Sequence, residues 1–280
     1  MASASVTISP EASREASGTA STAERGIEHT FAKLRASKTR ALVPYITAGH
    51  PDLERSVELL IALQESGADV IELGLPFSDP MADGPVIQAS SQMALDQGMS
   101  FDRLLEMVAK AKARVPLVLM SYLNPIMAAG SDALERAADA GIGGLLLIDL
   151  PVGSDPELES RIGSGPLSFI RLVAPTTPEA RMKEIAEHGS GFVYLISSLG
   201  VTGMRDTLPP ELSDTVKRLR GATTLPVCVG FGVSRPEQAA QVARIADGVV
   251  VGSAIVRAAG EGVEQAARLA AEMRAAIDGA

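Results

Sequence analysis

Two carboxylates in the first third of the chain have the residue type and setting that acid–base chemistry needs. Glu72 interrupts the apolar run VIELG at residues 70–74, where burying a charged carboxylate is costly. Desolvation there should favour the neutral acid and raise its pKa, which suits a proton donor near neutral pH. Asp83 follows in the loop at residues 76–85, whose three prolines restrict the backbone. The pair can divide acid and base roles. The alternatives are that Glu72 only caps an amide or pairs with a lysine, and that Asp83 is only an Asx-turn or N-cap residue.

Glycine-containing turns in the second half of the chain are candidates for binding an anion. They are GVTG at residues 200–203, GFG at residues 230–232, and Gly252-Ser253. Glycine lets the backbone approach a ligand closely, and backbone N–H groups of such turns bind phosphate at the ends of barrel strands. The two later turns follow predicted strands, which favours a phosphate site over ordinary turn glycines. These residues predict an enzyme that acts on a small phosphorylated substrate.

The three tyrosines of the chain are Tyr45, Tyr122 and Tyr194. All three fall in or near the ends of predicted strands. Their positions alone favour packing in the core over lining a pocket for an aromatic ligand, and both interpretations stay open.

Short apolar runs alternate with helical patterns over most of the chain, and most runs are nearly continuous Val, Ile and Leu. Such runs are typical of strands buried on both faces. Eight strand–helix units over about 250 residues predict a closed (β/α)8 TIM barrel rather than an open doubly wound sheet. The predicted strands cover residues 41–47, 69–73, 117–121, 144–149, 167–173, 191–197, 225–230 and 248–251.

Residues 25–280 are predicted to form this catalytic domain, and residues 1–24, rich in Ser, Ala, Thr and Glu, a disordered tail. A transit peptide is the competing interpretation of the tail, although the usual Arg-rich and acid-poor character is missing. Two long connections, residues 74–97 and 198–210, follow the second and sixth predicted strands. In a barrel both lie at the carboxyl ends of the strands, where active sites form.

Local signals indicate where some helices begin. Ser100 is placed to cap a helix, and Ser234 with Glu237 fits a capping box. Residues 153–166 contain three glycines and two prolines, a composition that makes a poor helix at the position of the fourth barrel helix and leaves its regularity open.

Composition argues against several classes of function. The net charge of −9, the pI near 5.0 and the lack of Trp disfavour nucleic-acid binding, which uses basic faces and stacking side chains. The sequence has neither an apolar run of the roughly 18–20 residues that a membrane span needs nor a signal-peptide pattern, so we expect a cytoplasmic protein. The single cysteine, Cys228, rules out an intramolecular disulfide, and no zinc-binding spacing is present.

The loop that carries Asp83 is part of a longer motif, ELGLPFSDPMADGP at residues 72–85, which strongly resembles the tryptophan synthase alpha chain family. The resemblance extends from about residue 31 to residue 256 and implies a (β/α)8 barrel. It also implies retro-aldol cleavage of indole-3-glycerol phosphate to indole and D-glyceraldehyde 3-phosphate in tryptophan biosynthesis. Its further motifs are LVPYITAG at 42–49, YLNP at 122–125, DLP at 149–151, YLIS at 194–197, GVTG at 200–203, GFGV at 230–233 and GSAIV at 252–256.

The resemblance implies a role for each candidate residue. Glu72 would be the general acid–base residue, Asp83 would bind the indole N–H, and Thr202 is a candidate contact to Asp83. Tyr194 matches the family's tyrosine near the catalytic glutamate. The positions that match the family's indole pocket are Tyr45, Tyr122 and Phe231. The positions that match its phosphate site are Gly203, Gly232, Gly252 and Ser253.

The family also implies that this chain has no cofactor of its own. Its partner would be a PLP-containing beta chain in an alpha2beta2 tetramer, to which indole passes through a tunnel, and the loops at residues 76–85 and 198–210 would close over the substrate. Three alternatives remain: a stand-alone indole-releasing lyase, a non-catalytic activator of the beta chain, and another phosphate-binding barrel. A Schiff-base aldolase is disfavoured because no predicted strand contains a lysine.

Overall fold

The computed structural model describes residues 26–196, 210–230 and 232–280. Within them, eight parallel strands pair in chain order and close into a barrel, which confirms the predicted TIM barrel and excludes the open sheet. The strands are β1 (Ala41–Thr47), β2 (Ile71–Gly74), β3 (Leu117–Ser121), β4 (Ile142–Leu147), β5 (Ser168–Val173), β6 (Val193–Ile196), β7 (Val227–Gly230) and β8 (Gly248–Val251).

Most helices of the described residues lie around the outside of the barrel, whereas the first helix packs Ile27 and Phe31 against the core inside it. They are α1 (Ile27–Ser37), α2 (Leu53–Glu65), α3 (Pro85–Asp96), α4 (Phe101–Ala111), α5 (Leu123–Ala128), α6 (Ala133–Ala140), α7 (Pro156–Gly163), α8 (Glu179–Glu187), α9 (Leu212–Ala222), α10 (Pro236–Ala243), α11 (Ser253–Glu261) and α12 (Val263–Asp278). None of these described helices has the length and apolar character that crossing a membrane would require. The predicted tail at residues 1–24 lies outside the described residues.

Strand side chains alternate between two hydrophobic cores. One core fills the barrel and contains Val43, Tyr45 and Val70, whereas their neighbours along the strands pack in a second core between the barrel and the helices. Because side chains two apart on a strand share a face, Glu72 points into the barrel with Val70. The fold therefore places an ionisable side chain inside the barrel, toward the carboxyl ends of the strands.

The connection at residues 74–97 is long because it contains an extra helix rather than an extended loop. The loop runs to Gly84, and α3 then begins at Pro85, a residue suited to the first helical position. This helix packs against β1 and α11, at the carboxyl end of the barrel. The corresponding prediction for residues 198–210 lies almost entirely outside the described residues.

The structure answers the open question at residues 153–166, because the helix α7 forms there despite the glycines and prolines. The Asp155 side chain accepts a hydrogen bond of 3.0 Å from the Leu158 backbone N–H, and Pro156 occupies the first helical position. The glycines that suggested disruption fall at the ends of the helix or beyond it. A short, well-capped helix therefore fits between them.

A buried ion pair secures the start of α7. Glu159 Oε2 lies 2.8 Å from Arg171 Nη2 of β5, and the two side chains are only 4% and 5% exposed. Glu159 also accepts a 2.8 Å hydrogen bond from the Gly153 backbone, while Arg171 donates to the backbone oxygens of Leu150 and His188. This network ties the β4–α7 connection to the barrel, and local propensity could not predict it because its partners are distant in sequence.

Two predicted caps have different outcomes. Ser100 caps α4 as predicted, since its hydroxyl accepts a backbone N–H three residues later. The capping box of Ser234 and Glu237 is wrong in both members, because Arg235 is the N-cap residue and Gln238 lies at the third helical position. Gln238, one residue later, accepts from the backbone N–H groups of Ser234 and Arg235. Because α10 begins one residue later than the pattern implied, Gln238 occupies the reciprocal position.

Candidate functional site

Glu72 is the most unusual side chain of the barrel interior. It is 1% exposed, and no hydrogen-bond partner for its Oε1 atom is present among the described residues. Burial raises its pKa from 4.5 to about 8, since the charged form loses its hydration without gaining a compensating charge. The carboxyl group is consequently protonated at neutral pH and can act as a proton donor.

Two tyrosines flank Glu72 and lie over glycines at strand ends. Tyr45 is the cross-strand neighbour of Glu72, and its phenol lies over Gly74, where an added Cβ would be 2.0 Å from the hydroxyl oxygen. Tyr194 lies over Gly230 in the same way, at 2.2 Å. Both tyrosines are buried, and burial raises their pKa values above the usual range. These two glycines therefore make room for the aromatic rings.

Asp83 lies on the loop before α3 and is held by Tyr122. The Tyr122 hydroxyl donates to Asp83 Oδ2 at 3.3 Å and accepts from the Ala82 backbone N–H at 3.0 Å, so one phenol fixes both the carboxylate and its loop. The Phe77 ring packs on Tyr122, with centroids 5.2 Å apart. Burial raises the pKa of Asp83 to about 6, and the Tyr122 hydrogen bond opposes that rise. Asp83 is therefore largely ionised at neutral pH, whereas Glu72 is not.

The role of the Tyr122 hydroxyl can be tested by replacing Tyr122 with Phe. Without the donor, the carboxylate form of Asp83 loses stabilisation, so its pKa rises above about 6. If activity needs ionised Asp83, the acidic limb of the kcat/KM profile moves to higher pH. A pH–rate profile of Tyr122→Phe beside the unmodified protein measures this shift, and an acidic limb that stays in place would contradict the contact's role.

The predicted phosphate-binding residues that the structure describes lie after β7 and β8. Gly232 adopts a φ of +103°, a left-handed conformation that favours glycine. Gly252 precedes α11, and Ser253 is its first residue, so the free N–H groups of the α11 N-terminus lie at the end of β8. Both segments follow adjacent strands at one side of the barrel mouth.

Three predicted site residues, Thr202, Gly203 and Phe231, lie outside the described residues. The proposed contact between Thr202 and Asp83 is therefore neither supported nor opposed by the structure. Among the described residues, no group of three or more His, Cys, Asp or Glu side chains is arranged to hold a metal ion.

Sequence reasoning missed two buried hydroxyls at the edge of the site. The Thr47 hydroxyl lies 2.7 Å from that of Ser90, which joins the end of β1 to α3. A polar residue at the end of an apolar strand was the available signal for Thr47, but nothing in the local sequence marks Ser90 as its partner.

Comparisons with known proteins agree with this geometry. A protein-family model described as "Tryptophan synthase alpha chain" matches residues 31–278. A tryptophan synthase alpha chain of Desulfatibacillum aliphaticivorans is 49% identical over 241 residues, covering 85% of this chain and 91% of that protein. The solved alpha subunit of tryptophan synthase from Legionella pneumophila superposes with a TM-score of 0.83 at 39% identity, covering 91% of this chain and 98% of that one. A solved structure of tryptophan synthase from Mycobacterium tuberculosis superposes with a TM-score of 0.83 at 37% sequence identity. The match covers 90% of this chain and 97% of that one.

Proposed function

The chain belongs to the tryptophan synthase alpha chain family, and on that premise we propose that Glu72 and Asp83 carry out its lyase reaction at the mouth of the barrel. The reaction cleaves indole-3-glycerol phosphate to indole and D-glyceraldehyde 3-phosphate. The observation that carries the proposal is the buried carboxyl of Glu72, whose Oε1 atom has no hydrogen-bond partner among the described residues and whose pKa is raised to about 8. Residues 25–280 form the catalytic domain of this proposal.

The proposed mechanism assigns two proton transfers to Glu72. The neutral acid first protonates C3 of the indole ring, which becomes an electron-accepting indolenine with positive charge at nitrogen. The resulting Glu72 carboxylate then takes the proton of the hydroxyl on the adjacent glycerol carbon. As the carbon–carbon bond breaks, its electrons return to the ring, indole leaves, and the aldehyde forms. Each cycle restores the neutral acid.

Asp83 has an electrostatic role in this mechanism. Its ionised carboxylate accepts the indole N–H and stabilises the positive charge that develops on the ring nitrogen before bond cleavage. In this proposal the ring is surrounded by the aromatic side chains of Tyr45, Tyr122, Tyr194 and Phe231. Closure of the loop at residues 198–210 is proposed to bring Thr202 into contact with Asp83. Because the two carboxyl groups have different pKa values, one supplies the proton and the other the negative charge.

This division of roles predicts a bell-shaped pH dependence. Asp83 must be ionised, so kcat/KM rises as pH increases through about 6. Glu72 must be protonated, so kcat/KM falls as pH increases through about 8. Steady-state measurement of kcat/KM from below pH 6 to above pH 8 tests this assignment of the two pKa values. An activity that keeps rising well above pH 8 would contradict a protonated Glu72.

The phosphate group of the substrate is proposed to bind the backbone N–H groups at Gly203, Gly232, Gly252 and Ser253. Gly232→Ala places a side chain where φ is +103°, so the turn must change its conformation. We expect weaker binding of inorganic phosphate and a raised KM, with kcat affected less. Calorimetric titration of phosphate measures the loss, and unchanged affinity would show that the anion binds elsewhere.

The family pairs with a beta chain, and the PLP of tryptophan synthase belongs to that partner. We propose that this chain forms an alpha2beta2 tetramer in the cytoplasm and passes indole to the beta chain. The test is to measure indole release from indole-3-glycerol phosphate with and without added beta chain. Release that increases with the partner supports the complex, whereas a rate unaffected by it supports a stand-alone lyase. Detection of any indole excludes a purely activating role.

A further inference from the structure

The backbone of Asp83 is held on both sides, by a hydrogen bond within its own loop and by one from helix α3. Its N–H donates to the backbone oxygen of Pro80 at 3.2 Å, and its carbonyl oxygen accepts from Gln88 Nε2 at 2.8 Å. Because peptide units are planar, these two contacts fix both peptide planes that meet at the Asp83 Cα atom. They therefore also fix the direction in which the Asp83 side chain leaves the backbone.

The contact from the Gln88 side chain adds a constraint that helix formation does not require. The Gln88 backbone N–H already donates to the Gly84 carbonyl oxygen at 2.9 Å, and this bond opens the hydrogen-bond ladder of α3. The side chain of the same residue bonds to the carbonyl one position earlier, in the loop before the helix. Gln88 thus binds two consecutive carbonyl oxygens and joins α3 to the residue that carries the acid.

Helix α3 is a firm base for this contact, because residues on either side of Gln88 are anchored in the barrel. Ile87 is buried and packs in the core inside the barrel. Ser90 Oγ lies 2.7 Å from Thr47 Oγ1 at the end of β1. Gln88 itself is exposed, so the core does not need its side chain. The direction of Asp83 is therefore held by a surface amide on a helix whose other face is buried.

The side-chain contact of Asp83 determines its direction less firmly than the Gln88 contact does. The Tyr122 hydroxyl donates to Asp83 Oδ2 at 3.3 Å, which is longer than the roughly 2.7–2.8 Å of a typical O–H···O hydrogen bond. Misplacing a group that takes part in catalysis by about 1 Å can cost as much as about 100-fold in rate. A backbone contact that directs the Asp83 carboxylate is thus expected to affect turnover.

We propose that Gln88 is a positioning residue for the cleavage reaction: by holding the Asp83 carbonyl, it directs the Asp83 carboxylate at the nitrogen of the bound indole ring. Gln88 acts on the backbone of Asp83 and not on the reacting atoms. The proposal rests on the role of Asp83 in the proposed function.

The variant Gln88→Met tests the proposal, because it removes the amide donor and keeps a similar side-chain length and helix propensity. Gln92→Met is the matched control. Gln92 is exposed on the same face of α3, four residues later, and donates its own amide to Asp96 Oδ1 at 2.7 Å. We expect Gln88→Met to lower kcat about three- to tenfold, the equivalent of one hydrogen bond, with KM and the affinity for inorganic phosphate nearly unchanged. Gln92→Met should keep kcat within about twofold of the unmodified protein.

A double-mutant cycle separates positioning of Asp83 from a merely structural role. If Gln88 acts through the charge of Asp83, Gln88→Met should cost less than about twofold in kcat when Asp83 is already replaced by Asn. Gln88→Glu, whose side chain has the same shape but no amide donor, should lose at least as much kcat as Gln88→Met. An unchanged kcat in Gln88→Met, an equal loss in Gln92→Met, or the full loss in the Asp83→Asn background would overturn the proposal. Absence of indole release by the unmodified protein would instead overturn the proposed function.

Discussion

Glu72→Gln is expected to abolish indole release while the barrel stays folded. The amide has nearly the same shape as the acid but cannot deliver a proton to the indole ring, and losing a general acid costs about 100- to 10,000-fold in kcat. Because Glu72 Oε1 has no hydrogen-bond partner among the described residues, the substitution breaks no contact there. Indole formation under single-turnover conditions and the thermal unfolding midpoint measure the two expectations.

Asp83→Asn is the comparison that separates acid–base chemistry from charge stabilisation. It keeps a hydrogen-bond acceptor for the indole N–H but removes the negative charge, so we expect a smaller loss of kcat than in Glu72→Gln, with phosphate binding largely retained. Normal turnover by Glu72→Gln would refute the proton-transfer role of Glu72. Unchanged kinetics of Asp83→Asn would argue against its contact with the ring.

Glu159→Gln is expected to destabilise the protein more than any surface substitution. It leaves Arg171 as a buried charge without its anionic partner at 2.8 Å, and breaking a buried ion pair costs about 3–5 kcal/mol in free energy of unfolding. The Arg171 contacts to backbone oxygens remain, but they do not replace the lost charge. Chemical denaturation with linear extrapolation measures the difference.

The exposed pair of Lys217 and Asp214 provides the control, because its side chains are 74% and 79% exposed. Lys217→Met should change the free energy of unfolding by no more than about 1 kcal/mol. Replacing both partners of the buried pair, in Arg171→Met with Glu159→Leu, should recover much of the stability lost in Glu159→Gln. If Glu159→Gln lowers the free energy of unfolding as little as Lys217→Met does, the buried pair does not stabilise the β4–α7 connection.

The barrel could be predicted from the sequence because its signal is repeated. Strands buried on both faces contain continuous apolar residues, and β1, β3 and β8 have the predicted bounds. Helix α7 could not be predicted in the same way, since its stability depends on Glu159 meeting Arg171 across the fold. The position of Gln238 in the α10 cap depended on the helix start, which sequence patterns locate only to within about one or two residues.

The candidate site was predictable where a residue breaks an expected pattern. Glu72 stands out as an acid within an apolar strand, and Asp83 stands out in a loop of prolines. Contacts between distant segments left no such signal. Nothing in the sequence around Tyr45 or Tyr194 shows that their phenol rings lie over Gly74 and Gly230. Such contacts depend on strand register, which only the closed barrel determines.

The protonation state of Glu72 is the central claim, and infrared difference spectroscopy measures it directly. The carbonyl stretch of a protonated carboxyl, taken as the difference between the unmodified protein and Glu72→Gln, should be present at neutral pH and should disappear as pH rises through about 8. A carboxyl that is already ionised at neutral pH, titrating near the ordinary value of 4.5, would contradict the account.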